Sequence, residues 1–83
     1  MIGDTIKLMR MESGISQTEL AKEVGIAQNS LSEIEHNKRP PKFETACKIA
    51  EICEFEIIFT DKNNNLAYDT SGKLLKHIDI MRK

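Results

Sequence analysis

The stretch ISQTELAKEVGIAQNSLSEIEHNKRPP, residues 15–41, contains two short helical patterns with very little chain between them. In the first pattern, Ser16 and Glu19 fit an S-x-x-E capping box, in which each residue caps a backbone N–H of the other. Gly25 is expected to end this helix because glycine adopts a positive φ without steric cost. The second pattern begins at Gln28. The stretch therefore predicts two short helices joined by a tight turn, which is the plan of a helix-turn-helix.

The second helix of the pair has an unusual outward face. Leu31 and Ile34 form a narrow apolar stripe, and the other positions carry amides, hydroxyls and one carboxylate: Gln28, Asn29, Ser30, Ser32 and Glu33. A helix face that meets only water more often carries Lys and Glu. Amides can form bidentate hydrogen bonds with the edge of adenine, serine can donate or accept, and glutamate can accept from cytosine. The composition suits base edges better than bulk water.

Two further helices are expected around this pair. The first runs from about Asp4 to Ser13, with Asp4 as its N-cap and Gly14 as its left-handed C-terminal residue. Pro40 and Pro41 stop the chain and permit a new helix start. The fourth helix covers about residues 42–53 and has a broad apolar face, formed by Phe43, Ala46, Cys47, Ile49, Ala50 and Cys53.

The pattern then changes from helical to strand-like. FEIIFT, residues 55–60, is rich in β-branched and aromatic residues, DKNNN is typical of a turn, and LAYDT is a weaker strand. We therefore predict a hairpin over residues 55–70. A terminal helix is expected next, capped by Thr70 or Ser71 and carrying an apolar stripe of Leu74, Leu75, Ile78 and Met81.

Residues 15–41 resemble the helix-turn-helix of the Cro/CI (XRE) family of phage and bacterial repressors. The motifs S-Q-x-E-L-A, V-G-I and SEIEHNK stand at the family's spacing without gaps, and the resemblance covers about residues 6–60. It implies a mainly α fold, with a lambda-repressor-like four-helix DNA-binding domain followed here by a β-hairpin and a short C-terminal helix. We expect the DNA-binding domain at residues 1–60, its helix-turn-helix at about 17–36, and a dimerisation or partner-binding extension at 55–83.

The resemblance also implies roles for individual residues. The second helix of the pair becomes the recognition helix in the major groove. The candidate base contacts are Gln28 and Asn29 first, then Ser32 and Glu33. The candidate phosphate contacts are Gln17, Ser30, Lys38, Arg39 and Lys42, with Gln17 also placed to touch Gln28. Arg10 and Glu35 match positions that form a structural pair in the family.

Each of these residues also has a plainer interpretation. Glu33 is as compatible with a solvated helix charge as with a base contact, which would either read a cytosine or keep the wrong sequences out. Lys38 and Arg39 could be ordinary loop charges, and Gln28 and Asn29 a polar helix start.

Three positions differ from the family's pattern. Ala27 stands where a capping Ser or Thr is common, so the recognition helix should begin without a side-chain cap. Asn37 replaces a glycine and tolerates the left-handed conformation nearly as well. Glu54 also replaces a glycine, and a strand follows it in place of a fifth short helix. The dimer interface should therefore differ from that of familiar repressors.

Composition narrows the function classes. The chain has 83 residues and a net charge of −1, so any phosphate-binding patch must be local, around Lys38, Arg39 and Lys42. Cys47 and Cys53 lie on different helix faces and fit apolar positions in a reducing compartment. No metal, other cofactor or enzymatic activity is expected, because no ligand-spaced cluster, nucleophile–base set or glycine-rich phosphate loop is present. No signal peptide or apolar run of about 18 residues occurs, which favours the cytoplasm and no membrane contact.

The strand signal favours a dimer. A lone hairpin is marginal in water and an exposed apolar edge promotes aggregation. One solution is a sheet shared by two subunits through Phe55, Ile57, Ile58 and Phe59; the alternative is a hairpin and last helix that pack on their own domain. The strand position resembles that of HipB-type antitoxins. We expect a repressor that binds a palindromic operator in double-stranded DNA as a homodimer. The alternative is an antitoxin, or a protein-binding subunit of a toxin–antitoxin-like pair, that also represses its own operon.

Overall fold

The computed structural model describes residues 1–63 and 65–75, which form four α-helices followed by an antiparallel hairpin. The elements in chain order are α1 (Ile2–Ser13), α2 (Gln17–Val24), α3 (Gln28–Glu35), α4 (Phe43–Ile52), β1 (Ile58–Thr60) and β2 (Ala67–Asp69). The predicted mainly helical fold is confirmed. Within these residues, no helix has the length and apolar character needed to cross a bilayer.

The α2–α3 unit forms for the local reasons that the sequence indicates. Ser16 Oγ accepts a hydrogen bond from the Glu19 N–H at 3.0 Å, although the reciprocal bond of a full capping box is not formed by these two residues. Gly25 ends α2 with a φ of 88° and donates its N–H to the Ala21 carbonyl at 2.9 Å. Ala27 starts α3 without a side-chain cap. The turn between the helices is therefore as tight as predicted.

The predicted start of α1 is wrong, because Asp4 lies in its first turn and does not cap it. Its Oδ1 instead accepts from Asn37 Nδ2 at 3.2 Å, and Asn37 Oδ1 accepts from the Gly3 N–H at 3.1 Å. A Cβ at Gly3 would overlap the Ile34 carbonyl, so only glycine lets α1 begin this close to the end of α3. Asn37 has the left-handed conformation expected of it, with a φ of 61°.

The core takes one fully buried side chain from each helix: Ile6, Leu20, Leu31 and Ile49. Burying a side chain of this size stabilises the fold by about 1.5–3 kcal/mol. The small residue Ala21 is buried at the same place and lets α2 approach its neighbours closely. The core therefore fixes the orientation of α3 from its inner side and leaves the outer side free.

The apolar face of α4 is buried over most of its length but not at its start. Ala46, Ile49 and Ala50 are buried, whereas Phe43 is 55% exposed. Phe43 occupies the first position of the helix, beyond the edge of the core, and its ring centroid lies 6.2 Å from that of Phe59. Phe43 is expected on the apolar face of α4, but it lies at the surface and contacts the hairpin instead.

The predicted hairpin is confirmed, and its strands are shorter than expected. Ile58, Phe59 and Thr60 pair with Asp69, Tyr68 and Ala67 of the same chain. Phe55 and Ile57 precede β1 and do not share a strand face with Phe59. β1 therefore already has one partner, and among the described residues its other edge has none.

The predicted terminal helix does not begin at residues 70–75. Leu74 forms an isolated bridge with Tyr68, and the Leu75 N–H donates to the Ala67 carbonyl at 2.7 Å. The physical reason is Asp69, whose Oδ1 accepts from the N–H groups of Ser71 and Lys73, both at 2.9 Å, and thereby turns the chain back along β2. The predicted helix positions Ile78 and Met81 lie outside the described residues.

Candidate nucleic-acid interface

The α2–α3 unit separates buried from exposed positions along the recognition helix. Leu31 and Ile34 face the core, whereas Gln28 and Asn29, in the first turn of α3, are exposed. The remaining candidates on this helix are half-buried: Ser30, Ser32 and Glu33. The structure thus places the predicted base contacts on a surface that a DNA groove could reach.

Arg10 and Glu35 form the ion pair between α1 and α3. Arg10 Nε lies 2.7 Å from Glu35 Oε2, and Nη2 lies 3.1 Å from Oε1. Only 1% of the Glu35 side chain and 14% of the Arg10 side chain are exposed, and Arg10 also donates to the Ile15 carbonyl. The hydrogen bonds to Glu35 raise the pKa of Arg10, so the guanidinium stays charged. Removing one partner of such a buried pair typically costs about 3–5 kcal/mol.

Gln17 connects this ion pair to the recognition helix. Its Nε2 donates to Glu35 Oε1 at 3.0 Å, and its Oε1 accepts from Gln28 Nε2 at 3.4 Å. Gln17 is half-buried and Gln28 is exposed. The predicted contact between the two glutamines is present, and it extends inward to a buried carboxylate.

Glu33 and Arg39 form a second ion pair at the surface. Arg39 Nη2 lies 2.9 Å from Glu33 Oε1, and about half of each side chain is exposed. A candidate base contact and a candidate phosphate contact are thus bound to each other. Because solvent screens an exposed pair, this one contributes only about 0–1 kcal/mol to stability.

The other two basic candidates are exposed and near α3. Lys38 follows the helix and is tied to it by a hydrogen bond from its N–H to the Glu33 carbonyl at 2.8 Å. Lys42 is the N-cap residue of α4. Neither side chain has an ion-pair partner among residues 1–63 and 65–75. Within the part of the chain that the structure describes, both ammonium groups are thus free to contact a phosphate.

The acidic residues that bring the net charge to −1 include a group on a different surface. Glu44, Glu51, Glu56 and Asp69 lie around a groove between α4 and the hairpin, together with Lys48. The charge of the chain is therefore unevenly distributed, and the near-neutral total does not oppose phosphate binding at α3.

The residues proposed for dimerisation lie on the hairpin side. Phe55 and Phe59 are exposed, and Ile57 and Ile58 are half-buried. Three of the four line an apolar groove together with exposed side chains of α1 and α4, among them Ile2, Leu8 and Phe43. This apolar groove and the α3 surface use different residues.

Three contacts of the interface were not predicted from the sequence. The Gln17–Glu35 bond joins residues 18 positions apart and leaves no local signal. The Glu33–Arg39 pair could have been anticipated, because opposite charges flank the end of a helix. The third is made by His36, whose Nδ1 donates to the Ser32 carbonyl at 2.8 Å and lies 3.5 Å from Ser32 Oγ. His36 thus adds an imidazole beside a candidate base contact.

The described residues contain no group of three His, Cys, Asp or Glu side chains placed to hold a metal ion. Cys47 and Cys53 are free thiols, and Cys53 is buried in the core.

Comparison with known proteins agrees with this geometry. The helix-turn-helix family profile matches residues 6–58. The antitoxin HipB of Escherichia coli K12 is 33% identical over 63 residues, which cover 76% of this chain and 72% of that protein. The HTH-type transcriptional regulator SinR of Bacillus subtilis is 34% identical over 71 residues, which cover 83% of this chain and 64% of that protein.

Solved structures show the same fold. A crystal structure of SinR, the master regulator for biofilm formation, in complex with DNA matches with a TM-score of 0.62 and 38% identity, over 66% of this chain and 89% of that one. A HipA–HipB–O2–O3 complex matches with a TM-score of 0.62 and 33% identity, over 74% of this chain and 86% of that one.

Proposed function

Because the chain belongs to the helix-turn-helix family, we propose that it is a sequence-specific DNA-binding transcriptional regulator, a repressor that binds a palindromic operator as a dimer. The observation that carries the proposal is the outward face of α3, where Gln28 and Asn29 are exposed while the opposite face is buried. The relatives support it, since SinR is a transcriptional regulator whose complex with DNA has the same fold.

In the proposed complex, the first turn of α3 reads base edges in the major groove. Gln28 and Asn29 contact adenine, whose N6 and N7 match an amide in a bidentate arrangement. Ser32 and Glu33 lie about one turn further along α3 and make secondary contacts. Glu33 either accepts from a cytosine N4 or repels sequences that place an acceptor there.

Phosphate contacts hold the domain in register on the duplex. Lys38, Arg39 and Lys42 supply charge near α3, and Gln17 and Ser30 supply neutral hydrogen bonds. Gln17 begins α2, and the positive end of a helix dipole favours an anion at that position. To reach a phosphate oxygen, Arg39 must either break its ion pair with Glu33 or contact the carboxylate and the phosphate at the same time.

We assign dimerisation to the C-terminal extension, residues 55–83, and DNA binding to residues 1–60. The edge of β1 that no described residue pairs with and the exposed rings of Phe55 and Phe59 support this division. A two-fold dimer would place two recognition helices about 34 Å apart, the spacing of successive major grooves on one side of the duplex. Ile57 and Ile58 complete the proposed interface.

A second candidate function follows from the similarity to HipB, which is an antitoxin and occurs in a complex with HipA. In this alternative, the chain also binds a toxin and represses its own operon. Co-expression tests it: the product of the neighbouring gene should arrest growth when expressed alone and not when expressed with this chain. In either case the activity is binding and not catalysis, and its place is the cytoplasm.

The test of DNA binding begins with selection of duplexes from a random pool. The selected duplexes should contain an inverted repeat, and the protein should bind them about 10³-fold or more tightly than a scrambled duplex at the same salt concentration. Lys42→Ala should weaken both duplexes alike and reduce the salt slope by about 1, since Lys42 contacts only phosphate.

Lys62→Ala is the matched control for this experiment, because it removes the same charge from the hairpin loop, away from α3, and should leave both affinities and the salt slope unchanged. If the selected and scrambled duplexes bind equally well at each salt concentration, the proposed sequence-specific function is wrong.

A further inference from the structure

A continuous series of hydrogen bonds connects the buried ion pair with the base-reading side chain proposed above. It runs from Arg10 through Glu35 and Gln17 to Gln28, with Glu35 Oε1 shared between Arg10 Nη2 and Gln17 Nε2. One end is almost fully buried and the other is exposed. The order of donors and acceptors along this series determines how Gln28 meets DNA.

The buried end admits only one order. A carboxylate accepts hydrogen bonds and cannot donate them, and Glu35 accepts from both Arg10 and Gln17. Gln17 must therefore turn its NH₂ group toward Glu35 and its carbonyl oxygen toward Gln28. Gln28 must in turn direct one N–H toward Gln17. An amide can normally flip by half a turn, but here an acceptor-only group fixes two amides in succession.

We propose that Glu35 is a positioning residue for base recognition, which acts through Gln17 to fix the orientation of the Gln28 amide. This inference rests on the proposed function, in which Gln28 contacts a base. With one N–H engaged by Gln17, Gln28 has its Oε1 and one N–H left. That acceptor and donor match N6 and N7 of adenine, whereas guanine presents two acceptors, N7 and O6. The hydrogen-bond series therefore selects adenine against guanine.

A glutamine at position 35 would remove this selection. Because an amide can donate as well as accept, Gln17 could then flip and offer its NH₂ group to Gln28. Gln28 would accept with Oε1, which leaves both of its N–H groups for the two acceptors of guanine. Glu35→Gln should thus change the base preference although Glu35 itself does not touch DNA.

The experiment measures a ratio of affinities. The first duplex is the selected operator, and the second carries guanine at the adenine whose preference Gln28→Ala abolishes. For the wild-type protein the adenine duplex binds more tightly. Glu35→Gln should reduce the ratio at least about fivefold, the lower end of what one bidentate contact contributes to discrimination. A purely structural role would weaken both duplexes equally and leave the ratio unchanged, which would overturn the inference.

A second variant covers the case in which Glu35→Gln, which leaves Arg10 without its buried counter-charge, fails to fold. Gln17→Met retains the ion pair and removes the connection, so it should reduce the ratio by a similar factor. Where Glu35→Gln does fold, its addition to Gln17→Met should have no further effect on the ratio. An unchanged ratio in Gln17→Met overturns the positioning role while the adenine preference of the wild type still supports the proposed function. A wild type without any adenine preference that depends on Gln28 overturns the inference and the assignment of Gln28 as a base contact, whereas equal binding of selected and scrambled duplexes overturns the proposed function itself.

Discussion

Glu33 is the single residue whose interpretation the structure changes most. As a lone carboxylate on α3 it could read cytosine, but its ion pair with Arg39 gives it a second role. While Glu33 holds Arg39, one of the few cations near α3 is partly neutralised before DNA arrives. The same pair weakens non-specific attraction, which depends on the number of phosphates that are neutralised.

Glu33→Ala should therefore increase affinity for scrambled DNA and steepen its salt dependence by up to about 0.9 in log–log slope, because Arg39 becomes free to bind one more phosphate. Binding titrations at several salt concentrations measure both quantities. Glu33→Gln, which keeps the shape and removes the charge, is the control and should act in the same direction. A loss confined to duplexes with one particular C·G pair would instead identify Glu33 as a base reader.

The conformation or partner of a single residue could be predicted from the sequence where a local pattern or the family resemblance determines it. Asn37 adopts its left-handed conformation, and Arg10 lies against Glu35. The Gln17–Glu35 bond could not be predicted in this way, because it depends on the angle at which two helices cross. Whether Gln28 and Asn29 contact bases stays a prediction.

At the scale of elements, Glu54 is a strained residue after α4. It has a φ of 64°, a conformation that costs residues other than glycine about 1–2 kcal/mol. Glu54→Gly should stabilise the protein by about 0.5–1 kcal/mol, once the greater flexibility of glycine in the unfolded chain is subtracted. Urea unfolding measures the change. The control is Glu23→Gly, which lies within α2 and should destabilise the protein. Asn37→Gly is not a suitable control, because the Asn37 side chain forms hydrogen bonds with Gly3 and Asp4. If Glu54→Gly lowers the free energy of unfolding, the claim that the backbone of Glu54 is strained is wrong.

The turn after β2 should depend on pH. Hydrogen bonds from Ser71 and Lys73 lower the pKa of Asp69 below its ordinary value of 3.8. A lowered pKa in the folded state means that the stabilisation is complete above the ordinary value and is lost as the pH falls through the lower one. Amide exchange of Ser71 and Lys73 should therefore lose protection under acidic conditions, and Asp69→Asn should remove this pH dependence. Equal protection of these amides in acid would contradict it.

The bounds of α2 could be predicted because a cap and a glycine, Ser16 and Gly25, mark its two ends locally. Residues 70–75 could not, since Leu74 and Leu75 fit an amphipathic helix as well as an extended segment. The contacts of Asp69 decide between the two: its Oδ1 accepts from the Ser71 and Lys73 N–H groups, and its own N–H donates to the Lys73 carbonyl at 3.0 Å, which pairs the returning chain with β2.

At the scale of the whole molecule, the chain has two separate surfaces. The α3 surface is polar with nearby cations, and the apolar groove on the hairpin side is lined mainly by aliphatic and aromatic residues, with two glutamates among them. This division allows one chain to bind DNA and another protein subunit at the same time. It also explains how a chain with a net charge of −1 could bind DNA.

Phe59→Lys should convert the proposed dimer into a monomer, because it places a charge in the centre of the apolar interface. Phe59 is 55% exposed, so the folded monomer should survive the change. Sedimentation velocity measures the mass, and circular dichroism checks the fold. Met11→Lys is the control: Met11 is a similarly exposed apolar residue that does not line the groove. Dimers of Phe59→Lys, or a monomeric wild type, would contradict the assigned interface.

The most direct test of the central claim, that the outward face of α3 reads DNA sequence, is a footprint on the DNA upstream of the gene. The wild-type protein should protect an inverted repeat at moderate salt. Gln28→Ala should lose that protection while its affinity for scrambled DNA stays the same. Protection of no particular site by the wild type, or equal protection by Gln28→Ala, would contradict the account.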